Sequence, residues 1–320
     1  MFDIVTLGSA TKDIFSFVNR GNLKPGINKN FMEIPLDKKI EIDKVLEFTG
    51  GSATNVAATM AKCGKKVASI AKIGNDENSE FILKDLKSRG ISTDYMVRTE
   101  GESSFSNVVV SKNGHMILLI YRGVENTIKL DDIKFDFKTR WLYIGPLGGD
   151  SYKILPEVVK TAKESGAKIA MNPGSTELSM KLRKMEPILA DIDIINMNDE
   201  EAKRFIGYGN DLKNLARLRK AVKSAAIITR GDRGSLIAFG DDTYEAGAYS
   251  TKQINFVGAG DAFFSGFINS IMDKKDVNEA VSFGSYNASN VIKHYGAKEG
   301  ITNEYPKQKL RIRRLENGEQ

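Results

Sequence analysis

Short apolar runs alternate with helical stretches along most of this chain, and the helical stretches stop at glycines. Residues 3–8, 66–73, 141–145, 168–171, 192–195 and 225–229 have the length and apolar content of buried strands. Between them, residues 52–63, 77–89, 151–165 and 199–206 read as helices closed by Gly64, Gly90, Gly166 and Gly207. Strands of this kind are buried on both faces, which demands helices above and below a mostly parallel sheet. The expected fold is an α/β protein, a three-layer α/β/α sandwich. In such sheets ligands bind beyond the carboxyl ends of the strands.

Two segments interrupt the alternation. Residues 12–48 and 95–122 carry β-branched and aromatic residues with no helix between them, and Asn113-Gly114 joins 104–111 to 115–121 in a two-residue hairpin pattern. They predict a small second sheet, a β lid. The expected division is a core of residues 1–11, 49–94 and 123–305, a lid of 12–48 and 95–122, and a polar tail of 306–320.

Composition removes several function classes. With 320 residues, 41% hydrophobic and 28% charged, the chain has ample material for a core. No stretch approaches 18 uncharged apolar residues, and the start reads as a strand rather than a signal segment, so the expectation is a cytoplasmic protein without a membrane partner. The single Cys63 permits no internal disulfide. The net charge of +6 is not organised as an interleaved basic and aromatic surface, and the densest basic run, 307–314, lies in the tail. No nucleic-acid partner is expected. Walker, G-x-G-x-x-G and G-x-S-x-G motifs are missing, and the two histidines, His115 and His294, have no cysteine partners.

The chemistry concentrates at Val257-Gly258-Ala259-Gly260-Asp261, a glycine-rich turn that opens a helix. Gly258, Ala259 and Gly260 let backbone amides approach a ligand, and the first N–H groups of the helix have no internal partner, so an anion suits them. A carboxylate beside a bound phosphate is repelled unless it has a task, and taking a proton from an attacking hydroxyl is one. The plainer account of Asp261 is an acid favoured in the first helical turn by the macrodipole. A second glycine pair opens a helix upstream, in Gly50-Gly51-Ser52-Ala53-Thr54-Asn55.

Together the two glycine motifs resemble the signature regions of the ribokinase or PfkB carbohydrate kinase family, from Asp13 to about Gly300. The resemblance implies the ribokinase-like sandwich with a β lid over the sugar, often used for dimerisation. It also implies ATP and Mg2+ as cofactors and transfer of a phosphoryl group to a sugar or nucleoside. Asp261 would be the base, with Gly258, Ala259 and Gly260 as the anion hole. Asn198 and Glu201 match an N-x-x-E motif that governs magnesium and phosphate, with Glu201 acting through water; the plain alternative is an N-cap with acids in the first turn. Thr229, Gly231 and Gly234 resemble a nucleotide loop, and Asn287 falls in the region bordering adenine. For the acceptor, Asp13, Gly50, Gly51 and Asn55 would bind hydroxyls. Arg122 has two readings, contact with a phosphate or anionic substrate and an ion pair within the lid.

Two departures stand out. Asn255 and Phe256 replace the usual Asp and Thr, and Asp there supports a monovalent-cation site in many relatives, so potassium activation is in doubt. Gly145-Pro146-Leu147 offers no acid where ribokinases often have one. The reading is an ATP-dependent sugar kinase. A nucleoside kinase of the same fold and a non-catalytic sensor remain open as alternatives.

Overall fold

The computed structural model describes residues 1–18, 24–25, 32–34 and 36–316. Residues 19–23, 26–31, 35 and 317–320, parts of the expected lid segment 12–48 and tail 306–320, lie outside the described residues. The central sheet runs in the order Ile312–Leu315, Asp242–Ala246, Ser235–Phe239, Ala225–Thr229, Ile194–Asn198, Lys168–Met171, Thr139–Ile144, Phe2–Leu7 and Val67–Ile70. From Val67–Ile70 to Ala225–Thr229 every pairing is parallel, and beyond that edge the pairings are antiparallel. Pleating sends alternate side chains to opposite faces. Leu142 and Ile144 join one buried cluster while Trp141 and Tyr143 join the other, so both faces are covered as their apolar composition requires.

The expected elements form with shifted ends. The apolar run 66–73 divides: Val67–Ile70 pairs in the main sheet, and Lys72–Ile73 turns away to pair with Val97–Arg98. The stretch 151–165 opens as a 3-10 turn, Gly149–Ile154, and becomes α-helical at Leu155–Glu164, with Pro156 near the start where its missing N–H costs nothing. Within the segment expected as a polar tail, Ile312–Leu315 forms the edge strand beside Asp242–Ala246. Polarity concealed it. Its Arg313 and Arg314 face outward to Glu245 and Asp242 while Leu315 is buried. Helices Lys181–Leu189 and Asp211–Ala221 had no expectation attached to them.

A four-stranded sheet stands apart from the main one, in the order Met116–Tyr121, Phe105–Ser111, Thr11–Val18, Lys44–Gly50. Its inner face is polar at one end, with Thr11, Asp13 and Ser106, and apolar beyond, where Phe15 and Phe17 pack on Tyr295. Leu119, Ile120, Tyr121 and Val45 are exposed on it. No described helix is long and apolar enough to cross a membrane.

Candidate active site

Helix Ala259–Met272 starts at the open end of the parallel sheet, and Gly258 is its N-cap with φ of 83°. A Cβ on Gly258 would come within 2.6 Å of Ala297, so only glycine permits both this left-handed turn and the close approach. Gly260 faces open space. The second helix with a glycine start, Ser52–Lys62, is capped by Gly51 at φ 92°, where a Cβ would meet the Ser9 carbonyl at 2.5 Å.

The two motifs meet. Asn55 Nδ2 donates to Asp261 Oδ2 at 2.8 Å across 206 residues of chain. Burial pushes the Asp261 carboxyl up to about 6; Asn55 pulls the other way, Glu201 adds to the rise and Lys298 opposes it. Part of the Asp261 side chain still reaches solvent. A carboxylate so poised, beside unpaired helix N–H groups, can accept a proton at neutral pH while an anion sits against the backbone.

Asp13 is 5% exposed, and its Oδ1 accepts from Thr11 Oγ1 at 3.0 Å and Ser106 Oγ at 2.6 Å. Burial raises its carboxyl above the ordinary range against the pull of Ser106, Thr11 and Lys298. A side chain at position 50 would meet Asp13 Oδ2 at 2.0 Å, so the glycine pair leaves that oxygen its space. Several buried acceptor atoms in this region lack a protein partner: Asn55 Oδ1, Asn196 Oδ1 and Glu125 Oε2.

On the other side of the helix start, Thr229, Gly231 and Gly234 line a cleft of about 450 Å³ together with Ala259, Gly260 and Ser289. The residues expected as a nucleotide loop thus share one space with Ala259 and Gly260 of the expected anion hole. Asn198 Oδ1 accepts from the Glu201 amide and Glu201 Oε2 accepts from the Asn198 amide, both at 2.8 Å, so the capping reading of this pair is present in full. Arg233 pairs with Asp199, tying that helix start to the nucleotide loop. A larger cavity, about 550 Å³, lies at the sheet edge near Asn210. Its Arg230 and Arg313 both pair with Glu245.

Two expected site residues have their polar groups engaged within the protein. Asn287 is fully buried, its Nδ2 donating to the Ala262 carbonyl at 2.8 Å and its Oδ1 accepting from the Thr302 amide at 3.1 Å. Both groups are spent on packing, and its neighbours Ser285, Ala288 and Ser289 line the cleft instead. Arg122 forms an ion pair with Glu125 at 2.9 Å, in the turn that follows the expected lid segment.

Sequence reasoning passed over Lys298. This side chain is 3% exposed and donates from Nζ to Thr49 Oγ1 at 2.6 Å and Asp85 Oδ2 at 3.3 Å. Burial lowers its ammonium to about 8, with Asp85 and Asp13 opposing the fall. The only signal in the sequence is a lysine directly after Gly296-Ala297.

Residues 27–304 match the pfkB family carbohydrate kinases. An uncharacterized sugar kinase of Archaeoglobus fulgidus is 30% identical over 250 residues, covering 76% of this chain and 97% of that one. A ribokinase of Staphylococcus aureus is 26% identical over 318 residues, 93% of this chain and 96% of its own length. Among solved structures, the adenosine kinase of Sinorhizobium meliloti superposes with a TM-score of 0.78 at 20% identity, covering 94% of this chain and 96% of that one. The fold is ribokinase-like. With its match spanning most of its length, the chain belongs to the pfkB family of carbohydrate kinases.

Proposed function

We propose that this chain transfers the γ-phosphoryl group of ATP to a hydroxymethyl group of a sugar, with Asp261 as the base. The observation that carries this reading is the Asn55 to Asp261 hydrogen bond, which brings the glycine pair of the acceptor motif to the acid at the anion hole. ATP lies in the cleft between Thr229, Gly231, Gly234 and Ser289, its terminal phosphate against the amides of Ala259 and Gly260. The acceptor lies between Asp13, Gly50, Gly51 and Asn55. Asp261 accepts the hydroxyl proton as the oxygen attacks phosphorus, and the backbone amides offset the charge of the transferring group. The lid closes over the acceptor and keeps water from the phosphoryl group.

Among the described residues no group of three acidic, histidine or cysteine side chains could hold a metal by itself. That donor set fits Mg2+, which keeps several waters and is held largely by substrate phosphates. Glu201 is the residue nearest this task, through water, and the ion would neutralise phosphate charge. ATP as donor places the reaction in the cytoplasm. The exposed Leu119, Ile120 and Tyr121 of the lid support a homodimer formed through that sheet.

The amide of Asn255 stands where relatives carry an acid. Its Nδ2 donates to the carbonyls of Val257 and Gly296 at 3.3 and 3.2 Å, and its Oδ1 accepts from the Val257 amide. Hydrogen bonds from a neutral side chain join the two loops, so no cation is needed to hold them. Exchange of potassium for sodium or choline at constant ionic strength is expected to change kcat/KM by less than about twofold. A strong rise specific to potassium would contradict this account of Asn255.

The test of the main reading is ADP release in a coupled assay over ribose, fructose, adenosine, inosine and cytidine. An acceptor-dependent rate that requires Asp261 supports it. The likeness to an adenosine kinase favours nucleosides as the second reading, and preference for them over free sugars would select it. ATP binding without turnover on any acceptor would leave a non-catalytic sensor.

A further inference from the structure

The turn Gly123–Thr127 follows the lid hairpin and carries a second buried acid. It is fastened on two sides: the Val124 amide donates to the Glu102 carbonyl at 3.0 Å, and Ser151 Oγ donates to the Glu125 carbonyl at 2.9 Å. Glu125 is 7% exposed. Its Oε1 accepts from Arg122 Nη1 at 2.9 Å, whereas its Oε2 is buried with no protein partner. Buried carboxylate oxygens are normally satisfied, so an orphaned one has a ligand to meet.

The surroundings say which ligand. Ser104, directly before the strand Phe105–Ser111 that carries Ser106, the donor to Asp13, lies within hydrogen-bonding reach of Glu125 but gives its one hydroxyl proton to the Tyr121 carbonyl at 2.9 Å. Burial raises the carboxyl pKa of Glu125 first, Arg122 and Ser104 oppose the rise, and the charge of Asp13 adds to it. The Lys12 amide, next to Asp13, donates to the Ser104 carbonyl at 3.2 Å, so Ser104 joins the strand of Asp13 to Glu125, and the two buried acids share one desolvated region. Asp13 keeps Oδ2 beside Gly50, and Asn55 keeps Oδ1 beside Asp261. All these free atoms are acceptors, and alcohol hydroxyls are the donors that satisfy them. The nearby cations are already committed, Arg122 to Glu125 and Lys298 to Asp85. A substrate carboxylate would meet fixed negative charge with no free counter-charge.

We propose that Glu125 is a second hydroxyl-binding carboxylate of the acceptor site beside Asp13, and that the two confine the acceptor to uncharged polyols and reject sugar acids. This rests on the acceptor pocket described under the proposed function.

Calorimetric binding of ribose, fructose and adenosine against gluconate and 2-keto-3-deoxygluconate, together with initial rates on the same panel, tests it. The expected result is binding of neutral polyols only. In Glu125→Gln, loss of a charged hydrogen-bond acceptor weakens neutral acceptors by about tenfold, with KM for ATP unchanged. A sugar acid that binds wild-type protein as tightly as the best neutral polyol overturns the charge rule, as does an acceptor affinity untouched by Glu125→Gln. Should that variant fail to fold, the wild-type panel still decides. Sugar acids turned over with dependence on Asp261 would sink this inference and spare the kinase reading. No ADP release on any acceptor would sink the kinase reading, while the isotherms still judge Glu125.

Discussion

Asp261→Asn lowers turnover by about a hundredfold to ten-thousandfold and leaves KM for ATP nearly unchanged, because the carboxylate acts on the acceptor proton and not on the nucleotide. Asparagine fills the same volume and still offers an oxygen to Asn55 Nδ2, so geometry is kept and only basicity is removed. In wild-type protein the rate should fall as pH drops through about 6, where the buried carboxyl takes up its proton. The same shift bears on stability. A carboxyl raised from 3.8 unfolded to about 6 folded contributes fully only below the unfolded value, and that contribution is lost as pH rises through 6. Above pH 6 the native state therefore carries a charge it solvates poorly. Asp261→Asn should gain about 2 kcal/mol at pH 8, less than the full conversion of the shift because the side chain keeps some solvent contact. Denaturant melts at pH 5 and pH 8 read this out. Turnover above about a tenth of wild type would remove Asp261 from the role of base.

Lys298→Met should destabilise the fold by about 3 kcal/mol, toward the low end for a broken buried ion pair because Arg89 still contacts Asp85. The ammonium joins the loop after the last helix to Thr49 beside the glycine pair and to Asp85 on helix Glu77–Ser88. Burial works against charge on Asp85, and Lys298, Thr49 and Arg89 together hold it below the ordinary range all the same. Removing the lysine leaves that carboxylate underpaired and frees Thr49. Its charge also lowers the pKa of Asp13 and Asp261, so its loss moves the acid limb of the rate profile to higher pH. Equilibrium unfolding and a pH profile of kcat/KM measure the two effects. An unchanged unfolding midpoint would mean that water replaces the ammonium without cost. An unmoved acid limb would separate Lys298 from the base.

The acid at the helix start was readable in sequence because Gly258 and Asp261 sit in a fixed local relation that one turn of backbone enforces. The same holds for the capping pair Asn198 and Glu201, three residues apart. The contacts of Asn287 were not readable in sequence, for the opposite reason. An asparagine in a helix reads alike whether its amide faces a cleft or a neighbouring helix, and only the packing of Ala262 and Thr302 against it distinguishes them. Glu125 gave no signal and Lys298 only its place after Gly296-Ala297, since a charged residue in a loop is ordinarily solvated and burial is not written in its neighbours.

What the sequence determined by itself was the alternation of buried strands and helices, the glycines that end or open those helices, and the acid in the first turn of the helix that Gly258 opens. Each depends on interactions within a few residues, where period and backbone sterics suffice. The tertiary structure alone decided that Asn55 reaches Asp261, that the polar end strand Ile312–Leu315 completes the sheet, and that Glu125, Asp13 and Lys298 are desolvated together. Those contacts join residues far apart in the chain. Their energies depend on what each group loses in water and finds in its partner, which no local pattern encodes.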